Sequence, residues 1–190
     1  SRLELSAPRL YGDPFDGLWG ELAPVPEANV HVVGNEVVGL ECFPSPGHAW
    51  HHVSYLHVDG TLYTGDSLGV RIAPARFLLA PTPPPEIDLE AWQQTLVETE
   101  RRSPARLVLT HSGVFDDVQE HIARLRGTLH EWAERVGHGM DEATFVAAAR
   151  ADCAASDPDE IESYDRSAPY WQCYQGPERY WRKRRQAAAP

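Results

Sequence analysis

One stretch, residues 45–69, decides the fold, and it reads SPGHAWHH-VSYLHV-DG-TLYT-GDSLG. His48 follows a Pro-Gly turn in this stretch, and Asp66 follows a glycine after an apolar run. His111 comes much later, directly after the apolar run 107–110. Imidazole and carboxylate groups on loops at strand ends are the donors from which catalytic zinc-type sites are built. The three side chains are therefore candidate metal ligands, and only tertiary structure can bring such widely spaced residues together.

Apolar periodicity and turn residues along the chain predict an α/β domain. Two strands, 31–33 and 36–42, are predicted with a Gly-Asn turn between them. The Asp-Gly pair at 59–60 predicts a second hairpin, with strands over 53–58 and 61–64. A buried strand is predicted at 106–110, and helices are predicted at 88–102, 117–136 and 141–154.

The composition limits the class of partner and the compartment. The chain has 190 residues, of which 42% are hydrophobic and 24% are charged, as expected of a folded domain. Its formal net charge of −11 argues against a nucleic-acid or anionic membrane surface, and no apolar run approaches the length of a membrane span. The cysteines form neither a disulfide framework nor a Cys-x-x-Cys zinc signature, which predicts a cytoplasmic protein. These are Cys42, Cys153 and Cys173.

The order of these motifs resembles that of the metallo-β-lactamase-fold hydrolases, the superfamily that includes glyoxalase II and lactonases. The shared elements are Pro-Gly-His-x-x-x-His, a hairpin with an Asp-Gly turn, Thr-Gly-Asp-Ser, a helix, and Leu-Thr-His-Ser-Gly. The resemblance covers residues 25–138 and implies the second half of an αββα sandwich. Residues 1–24 then correspond to the linker from the middle of that fold, and residues 139–190 form a C-terminal, aromatic-rich helical extension.

The resemblance implies a site with two metal ions. His48 would be a ligand of the first metal and His111 a ligand of the second, while the catalytic carboxylate of Asp66 would bridge both. His52 matches a recurring histidine of the family that lies behind the ligands and is not one of them. Two divalent ions, zinc or alternatively iron or manganese, would hold a hydroxide that attacks a small-molecule ester, thioester, lactone or phosphoester.

The hallmark His-x-His-x-Asp-His motif, which supplies two ligands to each metal in the family, is absent. None of the nine histidines stands two residues from another. Three protein ligands are too few for two metals, so we expect this chain alone to bind metal weakly and to catalyse poorly. The chain opens at Ser1 and its only methionine is Met140, from which we expect further residues upstream. A missing N-terminal half, or a homo-oligomeric partner, would complete the site and cover an exposed sheet face.

Two other functions are compatible with the sequence. Residues 65–68 spell Gly-Asp-Ser-Leu, the motif of an esterase family in which Ser67 would be the nucleophile. That family takes its base from an Asp-x-x-His motif, which does not occur here. The second alternative is a non-catalytic half-domain that binds a protein partner. Arg71 and Arg76, in a Pro-rich loop, would contact a substrate carboxylate or phosphate unless they are ordinary solvated arginines.

Overall fold

The computed structural model describes residues 23–111 and 113–188. These residues fall into two compact units, which are residues 23–33 and the described residues from Gly34 onward. The first unit contains one 3-10 turn, Glu27–Asn29. Residues 1–22 of the predicted linker lie outside the described residues, so the assignment of 1–24 as a linker stays a prediction.

The second unit is built on a six-stranded sheet whose strands lie side by side in chain order. Among the described strands, β4 and β5 pair in parallel and all other neighbours pair antiparallel. The strands are β1 (Glu36–Val37), β2 (Leu40–Pro44), β3 (Val53–Leu56), β4 (Thr61–Tyr63), β5 (Arg106–Leu109) and β6 (Gly113–Phe115). The helices are α1 (Leu89–Arg102), α2 (Val118–Gly137), α3 (Glu142–Ser156), α4 (Ile161–Ser167) and α5 (Tyr170–Ala188). This mixed architecture confirms the predicted α/β class.

The first predicted hairpin is wrong in the position of its turn. Residues 31–33 form no strand, and the predicted strand 36–42 turns back on itself at Val38 and Gly39. Both residues have positive φ angles, 49° and 79°. Two adjacent residues with positive φ form the tight turn whose twist matches paired strands, and glycine adopts it without steric cost. An apolar run that reads as one strand therefore contains a hairpin.

The second predicted hairpin is confirmed, but the sequence does not predict strand β6. Gly60 supplies a φ of 84° at the turn, and the Asp59 carboxylate accepts a hydrogen bond from the Thr61 amide at 2.9 Å. Strand β6 has only three residues. Its partner β5 was predicted, but so short a segment carries no measurable alternation of apolar and polar residues.

The predicted helices are confirmed, and aspartate side chains cap the first and the third of them. Asp88 accepts a hydrogen bond from the Ala91 amide and Asp141 from the Thr144 amide, both at 2.9 Å. The core lies between one face of the sheet and helices α1 and α2. Val97 of α1 is 51% exposed, and four other α1 side chains face the core. Those side chains are Trp92, Thr95, Leu96 and Thr99.

The C-terminal helices pack onto this domain through aromatic side chains. Tyr164 and Tyr170 are fully buried. The indole of Trp181, on α5, donates a hydrogen bond to the Ala133 carbonyl of α2 at 2.8 Å. The aromatic residues of the C-terminal extension therefore serve packing. No helix among the described residues is long and apolar enough to cross a membrane.

The sheet face opposite the helices carries an apolar row. Tyr55, Tyr63, Val108 and Val114 are paired in register across β3 to β6, so their side chains share one face. Tyr63 is 44% exposed and Val114 is 59% exposed. We call these four residues the open face. On the other side of the same strands, Leu62 and Leu107 are completely buried.

His121 makes the stability of this core sensitive to pH. The side chain is fully buried in α2, and its Nε2 hydrogen donates to the Leu68 carbonyl at 2.7 Å. Burial lowers the pKa of His121 to about 4. The unfolded chain therefore binds a proton between pH 6.5 and 4 that the native chain does not, so native stability decreases as the pH falls through this window.

We expect the free energy of unfolding to fall by up to about 3 kcal/mol from about pH 6.5 to about pH 4 through this one group. His121→Gln, which has no titrating ring, should remove that part of the pH dependence. Urea unfolding at a series of pH values measures the difference, with the exposed His138→Gln as the control. An identical pH profile for wild type and His121→Gln would contradict the prediction.

Candidate metal centre

Parallel strand pairing brings two of the predicted ligands to one edge of the sheet. Tyr63 of β4 pairs with Val108 of β5. Asp66 comes three residues after Tyr63, and His111 comes three residues after Val108. The two residues therefore lie side by side just beyond the ends of these strands. Strand β2 runs in the same direction as β4, since two antiparallel pairings separate them, and the loop after β2 carries His48 to the same edge.

The structure brings all three predicted ligands together around the Asp66 carboxylate. His48 Nε2 lies 3.6 Å from Asp66 Oδ2, and His111 Nε2 lies 3.2 Å from Asp66 Oδ1. Each carboxylate oxygen therefore faces a different imidazole. This is the arrangement that a carboxylate shared between two cations requires, because each cation would receive one oxygen and one nitrogen.

The polar atoms of this cluster fit a cation better than they fit one another. Asp66 Oδ1 is buried and accepts no hydrogen bond, because the nearby His111 nitrogen lacks the geometry for one. A buried carboxylate oxygen without a partner is costly, and a cation would remove that cost. Within the described part of the chain, no group of three or more His, Cys, Asp or Glu side chains is arranged around one point as for a single metal. The cluster therefore fits two partial ligand sets, one at each oxygen of the Asp66 carboxylate, and neither set is complete.

Charge interactions keep the carboxylate ionised. The His111 imidazole beside it lowers the pKa of Asp66, against the opposing effect of burial. Asp66 in turn raises the pKa of His111. The lowered pKa of Asp66 favours the ionised carboxylate. An ionised carboxylate is the form that binds divalent cations.

A backbone carbonyl sets the orientation of His48. The Nδ1 atom of His48 lies 2.8 Å from the Pro81 carbonyl oxygen. A carbonyl can only accept a hydrogen bond, so Nδ1 carries a proton and Nε2 is the nitrogen that faces Asp66. Histidine ligands are oriented in this way in metal sites generally. The ring also packs edge-on against Trp92, with 5.9 Å between the ring centroids.

Gly47 allows this approach to the helix. Its φ is +135°, and a Cβ atom at this position would lie 2.4 Å from the Trp92 Cβ. The Gly47 carbonyl accepts a hydrogen bond from the Asp88 amide at 2.9 Å, directly before α1. The Pro-Gly turn of the sequence therefore fixes the His48 loop against the start of the helix.

His52 supports Asp66 from behind. Its Nε2 accepts a hydrogen bond from the Asp66 backbone amide at 3.0 Å, and its Nδ1 lies 2.6 Å from the Ser45 hydroxyl. Both ring nitrogens are thereby engaged by protein groups. Burial, followed by the nearby His48, lowers the pKa of His52, which favours the neutral ring that these contacts need. Gly65 makes the contact possible, because a Cβ there would lie 2.4 Å from His52 Nε2.

The structure does not support the Ser67 nucleophile. The Ser67 side chain is completely buried, and its hydroxyl donates to the Thr64 carbonyl at 2.7 Å. None of the histidines in the described ranges forms a hydrogen bond with it. Its backbone carbonyl accepts a hydrogen bond from the Trp92 indole at 2.7 Å. Ser67 therefore connects the Asp66 loop to α1.

Arg71 is not available to a substrate. Its guanidinium donates to both carboxylate oxygens of Asp117 at 2.8 Å and to the Ala75 carbonyl at 3.1 Å. It also stacks over the Phe115 ring, 4.3 Å from the centroid. The Arg71 amide donates to the His111 carbonyl at 3.2 Å. Arg71 is therefore a buried support for the His111 loop.

Two supports of the site escaped the sequence analysis. Ser45 stands next to the Pro-Gly-His motif, so its proximity to the site was visible, but its contact with His52 was not. The Pro81 carbonyl is a backbone group, 33 residues from His48 in the chain. A backbone acceptor has no side-chain signature, so only the structure could reveal it.

The comparisons with known proteins agree with this fold. No family model matches the chain. Over 134 residues, the chain is 31% identical to the metallo-beta-lactamase fold-containing protein ST1585 of Sulfurisphaera tokodaii, a match that covers 65% of this chain and 49% of the relative. The chain thus spans about half the length of the curated relative that it matches.

Two crystal structures extend the comparison. The archaeal metallo-beta-lactamase superfamily protein ST1585 from Sulfolobus tokodaii is similar at a TM-score of 0.54 and 28% identity, over 66% of this chain and 50% of that one. The metallo-beta-lactamase family protein TTHA1429 from Thermus thermophilus is similar at a TM-score of 0.54 and 16% identity, over 96% of this chain and 60% of that one. The predicted resemblance is therefore confirmed. This chain has the fold of part of a metallo-β-lactamase fold protein.

The close packing of Gly65 against His52 can be tested by substitution. Gly65→Ala places a methyl group against the imidazole at a position with φ +54°. We expect a loss of about 1–3 kcal/mol from backbone strain alone, with a further loss from the displaced His52. Urea unfolding measures it.

Gly127→Ala is the matched control, because nothing lies within 4 Å of a Cβ built there, in the middle of α2. It should stabilise the protein by up to about 1 kcal/mol through helix propensity. Equal stability of Gly65→Ala and wild type would contradict the packing argument.

Proposed function

We propose that this chain supplies half of a two-metal hydrolase site that acts on a small-molecule ester, thioester, lactone or phosphoester. The observation that carries the proposal is the Asp66 carboxylate with a different histidine at each oxygen. The similarity to metallo-β-lactamase fold proteins supports it, since hydrolysis is typical of that superfamily. A partial match leaves the reaction and its substrate as proposals.

The ligand roles follow from the contacts. His48 would bind the first ion through Nε2, His111 would bind the second through Nε2, and Asp66 would bridge the two. Bound divalent ions would supply an activated water and would stabilise the developing negative charge on the substrate. Zinc suits this donor set best, while iron and manganese also accept histidine and carboxylate. His52 and Ser45 would keep the Asp66 backbone in place beneath the ions.

Asp66→Ala tests the shared carboxylate. Each proposed ion would lose one of the two donors that this chain supplies, so we expect cobalt affinity to fall by about 100-fold or more, beyond the loss typical for outer supporting residues. Cobalt(II) absorbance titrations measure the affinity, and esterase, lactonase and phosphodiesterase assays with added zinc measure turnover.

His138→Ala is the control for this variant, because the side chain is exposed and lies at the end of α2. It should bind cobalt as wild type does. Unchanged cobalt affinity or unchanged turnover in Asp66→Ala would overturn the two-metal proposal. A wild-type chain that binds no cobalt at millimolar concentration would also overturn it for the isolated chain.

We further propose that the first half of a metallo-β-lactamase fold covers the open face. The chain spans about half the length of its curated relative, and two of the four side chains of the open face, Tyr63 and Val114, are exposed while the other two are half-buried. Such a row resembles the inner face of two packed sheets. That half would also bring the additional ligands that three donors require. The buried and unpaired cysteines fit a reducing compartment, the cytoplasm.

Lysine substitutions test whether the open face is accessible. Tyr63→Lys with Val114→Lys should lower the binding of an apolar fluorescent dye and reduce self-association at high concentration. The stability of the isolated chain should change by no more than about 0.5 kcal/mol, because both side chains are exposed. Dye fluorescence, sedimentation and urea unfolding give the three measurements.

Val97→Lys is the matched control, since it places the same charge on an exposed valine of α1. It should leave dye binding unchanged. A wild-type chain that sediments as a compact dimer, dissociated by the double variant, would identify a second copy as the occupant. Dye binding equal in the double variant and wild type would contradict exposure of the face.

A further inference from the structure

The Pro81 carbonyl that orients His48 lies next to a buried contact with the C-terminal helices. Thr82, the following residue, is 1% exposed, and its hydroxyl donates to the Cys173 carbonyl of α5 at 2.6 Å. The two residues are 91 positions apart in the chain. The residue directly after Pro81, whose carbonyl contacts His48, is therefore anchored to the helical extension.

The sequence of α5 creates the acceptor for Thr82. In a regular helix, the Cys173 carbonyl would accept a hydrogen bond from the amide of residue 177. That residue is Pro177, which has no amide hydrogen, so the carbonyl is left without its helical donor. The Thr82 hydroxyl takes the place of the missing amide.

Gly176 makes room for the same contact. A Cβ atom at this position would lie 2.0 Å from the Thr82 carbonyl oxygen and 2.8 Å from Ile87 Cγ1. The backbone of the 81–87 segment therefore rests directly against α5. The Gly-Pro pair in α5 thus serves two purposes, since glycine permits the approach and proline frees the acceptor.

We propose that Thr82 is a positioning residue for His48, and that the helical extension sets the orientation of this ligand through the Cys173 carbonyl. Thr82 fixes the plane of the adjacent Pro81 carbonyl. That carbonyl holds the proton of His48 on Nδ1 and leaves Nε2 free to bind a cation. The effect on metal binding rests on the proposed function, while the effect on the imidazole does not.

Two substitutions weaken the contact by opposite means. Thr82→Val removes the donor while keeping the shape of the side chain. Pro177→Ala restores an amide that competes for the Cys173 carbonyl, and it should also favour the helix. Thr82→Ser keeps the donor and should restore the wild-type properties. Near-UV circular dichroism verifies that each variant is folded.

Thr128→Val is the matched control. The Thr128 hydroxyl, on α2, donates to the Leu78 carbonyl of the same loop at 3.2 Å, but neither residue contacts His48. This variant loses a hydroxyl anchor of the loop without touching the Pro81–Thr82 segment. It should keep the wild-type protonation site of the His48 imidazole and the wild-type cobalt affinity.

The test determines which of the two ring nitrogens of His48 carries the proton, in metal-free, nitrogen-15-labelled protein at mildly alkaline pH. We expect the Nδ1-protonated form to dominate in wild type, Thr82→Ser and Thr128→Val, and to decrease in Thr82→Val and Pro177→Ala. Cobalt affinity should fall about tenfold in the latter two variants, as for other residues that orient a ligand.

Unchanged His48 protonation in Thr82→Val would overturn the proposal, as would an equal change in Thr128→Val. If the protonation site of His48 changes in Thr82→Val but the chain binds no cobalt, the positioning role is supported. Only the proposed function is then overturned. The two proposals therefore fail on different measurements.

Discussion

The site depends on the parallel pairing of β4 with β5. Strands that pair in parallel end at the same edge of a sheet, and the register of Tyr63 with Val108 places Asp66 and His111 at matching distances from that edge. A shift of one residue in this register would move the two side chains about 3 Å apart along the strands. It would also turn Leu62 or Leu107, both completely buried, to the opposite face of the sheet, so the core opposes it. The hydrophobic core therefore fixes the spacing of the polar site.

The loops at this edge are held by backbone contacts that only small residues permit. Gly47 lies against Trp92 and Gly65 lies against His52, in both cases closer than a Cβ atom would allow. Both loops therefore pack rigidly, with the carbonyl of Gly47 bonded to the start of α1. A metal site benefits from this rigidity, since ligands that are already in place lose little freedom when an ion binds.

The sequence predicted what depends on side-chain pattern and local turns. The helix start at Asp88 and the Asp-Gly hairpin were visible in residue types, and the resemblance carried by the ordered motifs implied that His48, Asp66 and His111 meet. Prediction from the sequence failed at the Val38–Gly39 turn. The β-branched residues there favour a strand, and only the φ angles show that the chain reverses direction. For Arg71 it offered a substrate contact or a solvated side chain, and neither is correct, because its partner Asp117 is distant in the chain and no local pattern links them. The support from Pro81 involves a backbone oxygen, which no residue type can signal.

The geometry around Asp66 also explains why this chain alone should bind metal weakly. The two histidines lie on different oxygens of one carboxylate, so an ion beside either oxygen would receive one nitrogen and one oxygen from the described residues. A zinc ion takes four ligands in structural sites and at least three protein ligands in catalytic ones. Two donors for each ion would leave most of the coordination to water unless, as proposed, another segment supplies further ligands. The same edge of the sheet that holds the ligands also borders the open face, so one partner that packed on that face could supply both the missing donors and the missing apolar contacts.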